Sequence, residues 1–138
     1  MTRVEICQIK NATFAARGDS NHWVVMDDRL DFDGCEAAAD PMELLLFALG
    51  GCTCMWLHAL LKENGCKTPC ISAGIEALRE PGDSSPFQQI EINYCFYGAG
   101  LERQQLETLV RNMEKRYSAV YKMLSKAVPI RSAITIAG

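Results

Sequence analysis

Residues 40–65 read DPMELLLFALGGCTCMWLHALLKENG, and both ends of this stretch carry helix-end chemistry. Asp40 can accept a hydrogen bond as N-cap, Pro41 suits the first helical position, and Glu43, three residues after the cap, completes a capping-box pattern. Gly65 is placed for the left-handed residue just past a helix end, and Lys62 lies in the last turn, where the helix dipole favours a cation. Between these ends nearly every residue is apolar on every side, so the helix must be buried all round or lie in lipid. Glu43, His58 and Lys62 crowd the run and Gly50-Gly51 interrupts it. A spanning segment needs about 20 apolar residues, and the expectation is therefore a central helix of a soluble fold, without a membrane partner. Two glycines inside a helix cost about 1 kcal/mol each relative to alanine; the compensation expected is a second backbone passing close by.

At about 100° per residue, Cys52 shares a face with Leu45, Ala48, Leu49, Met55, Trp56 and Ala59, whereas Cys54 points to the opposite side with Glu43, Phe47, Gly50, Leu57 and Leu61. Cys52 and Cys54 therefore cannot close a local disulfide while the helix stands, and they are not a CxxC redox pair. Glu43 and His58 also fall away from Cys52. Packed as small apolar groups, both cysteines would be inert.

The 138 residues suit one domain, 1–138, with room for a real core. The net charge of −3 and the lack of any Lys/Arg cluster argue against nucleic acid or anionic membrane as partner. The opening MTRVEICQIK has no apolar run of signal-peptide type, and seven irregularly spaced cysteines then fit reduced thiols in the cytoplasm. Cys66 and Cys70 have approximate zinc-ligand spacing, but no second pair or histidine cluster follows, so neither metal nor cofactor is expected. Asp27, Asp31 and Asp33 alternate loosely like calcium ligands yet lack the glycine and terminal glutamate of an EF-hand loop.

Outward from the helix, residues 2–9 alternate as a half-buried strand, 12–16 read as a second and 22–26 as a third, joined by turn chemistry at Asn11 and Arg17-Gly-Asp-Ser-Asn21. Arg17 sits at a strand-to-turn junction, where most arginines are solvated. Beyond the helix, 70–79 and 87–97 read as hairpin partners across a turn-rich link. Residues 101–126 have helical period, through Leu106, Leu109, Val110, Met113, Tyr117, Val120, Tyr121 and Leu124, and Ser118 can break the run as N-cap of a second, shorter helix. Pro129 ends the helical region and 130–136 alternate as a last strand. Strand runs joined by hairpins with helices on one face indicate an α+β fold, without a dinucleotide-binding βαβ unit or a glycine-rich phosphate loop.

Asp40-Pro-Met-Glu-Leu-Leu-Leu-Phe-Ala-Leu-Gly-Gly-Cys52 resembles the family of osmotically induced protein C (OsmC) and the organic hydroperoxide resistance proteins, in the subgroup with a Pro-x-Glu-Leu-Leu-Leu…Gly-Gly-Cys-Thr run. Met113-Glu-Lys-Arg-Tyr-Ser118 is similar to the segment before that family's second helix, and the order of elements matches along the whole chain. The resemblance implies antiparallel sheets packed on two central helices, and an intertwined homodimer whose central helices meet back to back at Gly50 and Gly51. It also implies a thiol peroxidase. The cysteine matched by Cys52 attacks a hydroperoxide, an arginine matched best by Arg17 activates the thiolate, and a second cysteine resolves the sulfenic acid. An apolar pocket of Leu45, Leu49, Met55, Trp56, Tyr117, Ser118 and Tyr121 would receive the alkyl group. A thiolate nucleophile beside a guanidinium in an apolar pocket is coherent chemistry.

Two residues depart from the family pattern. Ser118 occupies the resolving cysteine's place, and no other cysteine falls in that motif. Glu43 stands one residue nearer the reactive cysteine than the family's arginine-binding glutamate, so it reads as a cap. Three functions stay open: hydroperoxide reduction by Cys52 with an external thiol reductant or another cysteine resolving it, a non-catalytic dimer binding a small hydrophobic ligand, and a structural dimer in which Cys52 is inert.

Overall fold

The computed structural model of the protein describes residues 1–66 and 70–137. It divides into two compact units, 1–46 and 47–138. In the first, β1 (Val4–Lys10), β2 (Thr13–Gly18) and β3 (Trp23–Met26) form an antiparallel meander in the order β1-β2-β3. Asn11, with φ of 51°, turns the chain between the first two strands. After β3 the chain winds around one buried carboxylate, Asp27, which accepts the Thr13 hydroxyl at 3.1 Å and the amides of Asp28, Cys35 and Ala37 at 2.8–3.2 Å. Burial pushes the Asp27 carboxyl up, but these donors outweigh it and hold it below the ordinary aspartate value. The first of the three loosely alternating aspartates is thus spent organising a loop.

Helix α1 (Pro41–Glu63) begins as its sequence dictates. Asp40 Oδ1 accepts the amides of Met42 and Glu43 at 2.7 and 2.9 Å, and Glu43 Oε2 accepts the Asp40 amide at 3.2 Å. This closes the capping box from both sides. It ends in a Schellman motif: Gly65 takes φ of 71°, its amide reaches the Lys62 carbonyl, and the Cys66 amide reaches that of Leu61. By length and composition α1 could cross a membrane, and 28 % of its apolar window is buried inside the chain. The buried stripe is Leu49, Thr53, Leu57, Leu60 and Leu61. Cys52 and Cys54 stand on its two shoulders, about 100° either side of Thr53.

The second unit's sheet has the order β4-β5-β6, from β4 (Cys70–Arg79), β5 (Phe87–Tyr97) and β6 (Ile130–Ala137). β5 is central, and Ile90, Ile92, Tyr94 and Phe96 are buried on one face while Glu91 and Asn93 lie exposed on the other. β4 and β5 form the expected antiparallel hairpin, but β6 runs parallel to β5. The sheet is mixed, a correction to the all-antiparallel expectation. A parallel neighbour requires a crossover, and the helical segment between β5 and β6 supplies it. That segment is α2 (Arg103–Asn112), a π-helical turn (Met113–Tyr117) and α3 (Ala119–Leu124). Leu106, Leu109, Val110 and Met113 bury its apolar face.

The glycine pair differs from expectation within this chain. A Cβ on Gly50 would stand 3.0 Å from Ile75 Cδ1 of β4, so Gly50 makes room for a side chain and not a backbone; one on Gly51 would meet nothing within 4 Å. The Cys66–Cys70 spacing considered for zinc runs through residues 67–69, which lie outside the described residues.

Candidate functional site

The π-helical turn ends at Ser118, whose backbone leaves the helical region at φ −71°, ψ 107° and starts α3 as its N-cap. The Ser118 hydroxyl oxygen accepts the Tyr121 amide at 3.2 Å. Its one hydrogen is then free to point elsewhere, and it is donated to Cys52 Sγ at 3.3 Å. The first amides of a helix have no partner inside it; here those of Ala119 and Val120 turn to the same sulfur. The Ser118 hydroxyl thus donates to Cys52 while the Ala119 and Val120 amides lower its thiol from nearby, with Ser118 itself fully buried.

The electrostatic result separates two thiols that are two residues apart. Burial pushes the Cys52 thiol up, but the hydrogen bonds from Ser118, Val120 and Ala119 outweigh it and leave the group below the ordinary cysteine value. Burial also pushes Cys54 up, and a contact with Thr53 offsets this only in part, so Cys54 stays a thiol. Thiolate is the nucleophilic form. Of the two, Cys52 is the one prepared for it.

Around Cys52 the expected pocket residues divide. The Trp56 and Tyr117 rings lie 5.1 Å apart at 39°, both part-exposed, and Tyr117 adjoins Ser118 in the chain. The Tyr121 amide donates to Ser118 Oγ, while its phenol lies beside Glu114. Tyr117 also borders a shallow cavity of about 550 Å³ between the end of α1 and α2. Leu49, by contrast, is wholly buried in the core, Met55 is 74 % exposed, and Leu45, in the first unit, is exposed. Arg17 is engaged within that first unit. Its guanidinium donates to Glu5 Oε2 at 3.0 and 3.1 Å and to Asn21 Oδ1 at 3.3 Å, and it stacks 5.1 Å over the Trp23 ring. Glu5, Arg17 and Trp23 are cross-strand neighbours in β1, β2 and β3. The contacts that lower Cys52 come from Ser118, Ala119 and Val120.

Sequence reasoning named Ser118 as cap but missed what the cap exposes, the Ala119 and Val120 amides. It also missed Glu114 and Tyr94, two buried polar side chains with oxygens that lack a hydrogen-bond partner. Glu114 had a signal: it falls at the edge of the apolar stripe of 106, 110, 113, 117 and 121, beside Tyr121, where an acid is out of place.

The OsmC-like protein family model matches residues 33–133. Protein YhfA of Escherichia coli K12 is 25 % identical over 124 residues, 88 % of each chain. Two solved structures share the fold. An OsmC-like protein from Mycoplasma pneumoniae superposes at a TM-score of 0.82 with 12 % identity, over 100 % of this chain and 98 % of that one. An organic hydroperoxide resistance protein from Legionella pneumophila superposes at 0.74 with 12 % identity, over 98 % and 96 %. With its capped central helix, mixed sheet and a family match over most of its length, the chain belongs to the OsmC-like protein family.

Proposed function

We propose that the protein is a thiol-dependent organic hydroperoxide reductase in which Cys52 is the reactive thiol. The observation that carries this is the Ser118 hydroxyl donated to Cys52 Sγ at the start of α3, where the Ala119 and Val120 amides also lower the thiol. The thiolate attacks the distal oxygen of an alkyl hydroperoxide, the O–O bond breaks, and the alkoxide takes a proton from water to leave as alcohol. Cys52 keeps the hydroxyl as sulfenic acid. An external thiol then attacks that sulfur, releasing water and forming a mixed disulfide. A second thiol completes reduction to free Cys52. Ser118 does not resolve the sulfenic acid, because it has no sulfur.

In this reading Arg17 is the activating guanidinium, Trp56, Tyr117 and Tyr121 receive the alkyl group, and 1–138 act as one cytoplasmic domain that needs no metal or cofactor. The protein works as a homodimer. Phe47, Met55 and Trp56 on α1 and Val4, Ile6 and Ile9 on β1 are exposed in the single chain, and a second copy would cover such apolar surface. The serine favours a second reading, a dimer of the same fold that binds a small hydrophobic ligand at the Trp56–Tyr117 rings without turnover.

Mass spectrometry after one equivalent of cumene hydroperoxide separates the two. Under the enzyme reading Cys52 gains one oxygen before any other cysteine does, and Arg17→Ala slows that step. If Cys52 reacts no faster than Cys54 with the hydroperoxide and with iodoacetamide, the enzyme reading fails and the binding reading stands.

A further inference from the structure

Glu114 is the one carboxyl side chain that the π-helical turn carries into the interior; the residue is 8 % exposed. π-helical turns are costly and tend to mark functional places. This one sets an acid among hydroxyls. Ser132 of β6 and Tyr121 of α3 contact its carboxyl, while Oε1 has no hydrogen-bond partner. The titratable groups that face this cluster are Tyr94 from β5, Tyr121 from α3 and Cys54 from α1, all neutral near pH 7. Burial pushes Glu114 above the ordinary glutamate value, and the two hydroxyl contacts offset this in part. Tyr121 is pushed up to about 12 by burial and by Glu114.

Tyr121 is therefore held at both ends. Its phenol contacts Glu114, and its amide is bonded to Ser118 Oγ, the oxygen whose hydrogen reaches Cys52. Helix α3 has six residues, too few to hold a fixed direction by its own hydrogen bonds. Beyond the Ser118 amide bonded to the Met113 carbonyl, its direction is set by side-chain contacts. We propose that Glu114 is a positioning residue for Cys52: its buried carboxyl, between Ser132 and Tyr121, anchors α3 so that the Ser118 hydroxyl and the Ala119 and Val120 amides converge on Cys52 Sγ. This rests on the reading of Cys52 as the reactive thiol.

The test is the pH profile of Cys52 alkylation by iodoacetamide, read by mass spectrometry with Cys54 as internal control, in the full-length protein and three variants. Glu114→Leu should raise the Cys52 midpoint by about one pH unit and slow alkylation at pH 7 about tenfold, leaving Cys54 unchanged. Glu114→Gln, a neutral side chain of the same shape, should restore the wild-type profile. Tyr121→Phe, which removes only the phenol oxygen, should raise the midpoint in the same direction and covers the case in which Glu114→Leu fails to fold. A folded Glu114→Leu or Tyr121→Phe protein with the wild-type profile overturns the proposal, as does a Glu114→Gln shift as large as that of Glu114→Leu. In those cases a low wild-type midpoint leaves the Cys52 reading intact. A wild-type midpoint at the ordinary cysteine value overturns both.

Discussion

Replacing Ser118 by cysteine puts a second sulfur where the hydroxyl now touches Cys52 Sγ at 3.3 Å. A disulfide needs about 2.05 Å between sulfurs, so the pair must close by about 1.2 Å, part of which the longer C–S bond provides. Residues 52 and 118 are 66 apart in sequence, and the loop-entropy relation gives about 4 kcal/mol of stabilisation for a loop of that size. Loss of the serine cap, whose oxygen accepts the Tyr121 amide, removes about 1 kcal/mol. The oxidised variant should therefore be more stable than the wild type by about 3 kcal/mol, and more stable than its own reduced form by about 4. At a urea slope of roughly 1–3 kcal/mol/M its denaturation midpoint should rise by at least about 1 M, and dithiothreitol should abolish the gain. The functional consequence follows from the same bond. Under the proposed reading, Cys52 sulfenic acid in the wild type should persist after one equivalent of hydroperoxide, and excess peroxide should drive it to the irreversible sulfinic form. In Ser118→Cys the new thiol should trap it first, so intact-mass analysis should show loss of two hydrogens where the wild type gains oxygen. Activity should then survive repeated peroxide additions, provided a dithiol reductant is present. Absence of a disulfide between positions 52 and 118 after peroxide, with Cys52 over-oxidised as in the wild type and the introduced thiol still free, would refute both the geometry and the assignment of Ser118 to the resolving position.

Ser118→Ala removes the cap and one of the three donors to the sulfur: the Cys52 alkylation midpoint should rise by about one pH unit and stability fall by about 1 kcal/mol, both measurable on one preparation. Gly51→Leu should leave the chain folded, since nothing within 4 Å obstructs a Cβ there, yet weaken the proposed dimer; an unchanged sedimentation coefficient at micromolar concentration removes Gly51 from any interface. Gly50→Leu should instead lower stability by roughly 1–3 kcal/mol through overpacking against Ile75, as a thermal melt would reveal. Glu114 has a folded-state value above its unfolded one, so its contribution to stability is complete below the unfolded glutamate value near about 4.3 and is lost as pH rises towards the folded value. Wild type should thus lose ground to Glu114→Gln in that window by up to about 1.4 kcal/mol per pH unit, and parallel pH–stability curves would show that Glu114 ionises freely.

The legible parts of this fold are those governed by local chemistry. The capping box at Asp40 and Glu43, the left-handed Gly65 and the strands 70–79 and 87–97 depend on residues adjacent in sequence, and each forms as its residues require. Ser118 as N-cap was equally legible, because a hydroxyl before a helical run has few other uses there. The parallel pairing of β6 was not. Whether a final strand returns antiparallel or parallel depends on which sheet edge the preceding helices reach, and an alternating 130–136 carries no mark of direction. What stands beside Gly50 within the chain was not legible for a similar reason: a glycine announces close approach but does not say whether a backbone or an isoleucine methyl approaches. Glu114 shows a third limit. A 3.6-residue period leaves it at the edge of the apolar stripe, and the π-helical turn, invisible to that period, sets it beside Ser132 and Tyr121.

Ser118 carries two duties that a cysteine at the same place would divide differently. As cap it must accept the Tyr121 amide, and as donor it must give its hydrogen to Cys52. A hydroxyl does both well. A thiol is a weak donor and a weak acceptor, so a cysteine here would loosen the α3 N-terminus and stabilise the Cys52 thiolate less, while gaining the ability to trap a sulfenic acid. The serine therefore favours forming the thiolate over protecting its oxidised product. An enzyme built this way depends on a reductant reaching the sulfenic acid before a second peroxide does. Its peroxidase rate should saturate in thiol at low peroxide, and its inactivation should grow with the ratio of peroxide to thiol. A protein whose Cys52 is mere packing has no reason to keep three donors aimed at one sulfur, since an uncharged thiol is satisfied without them.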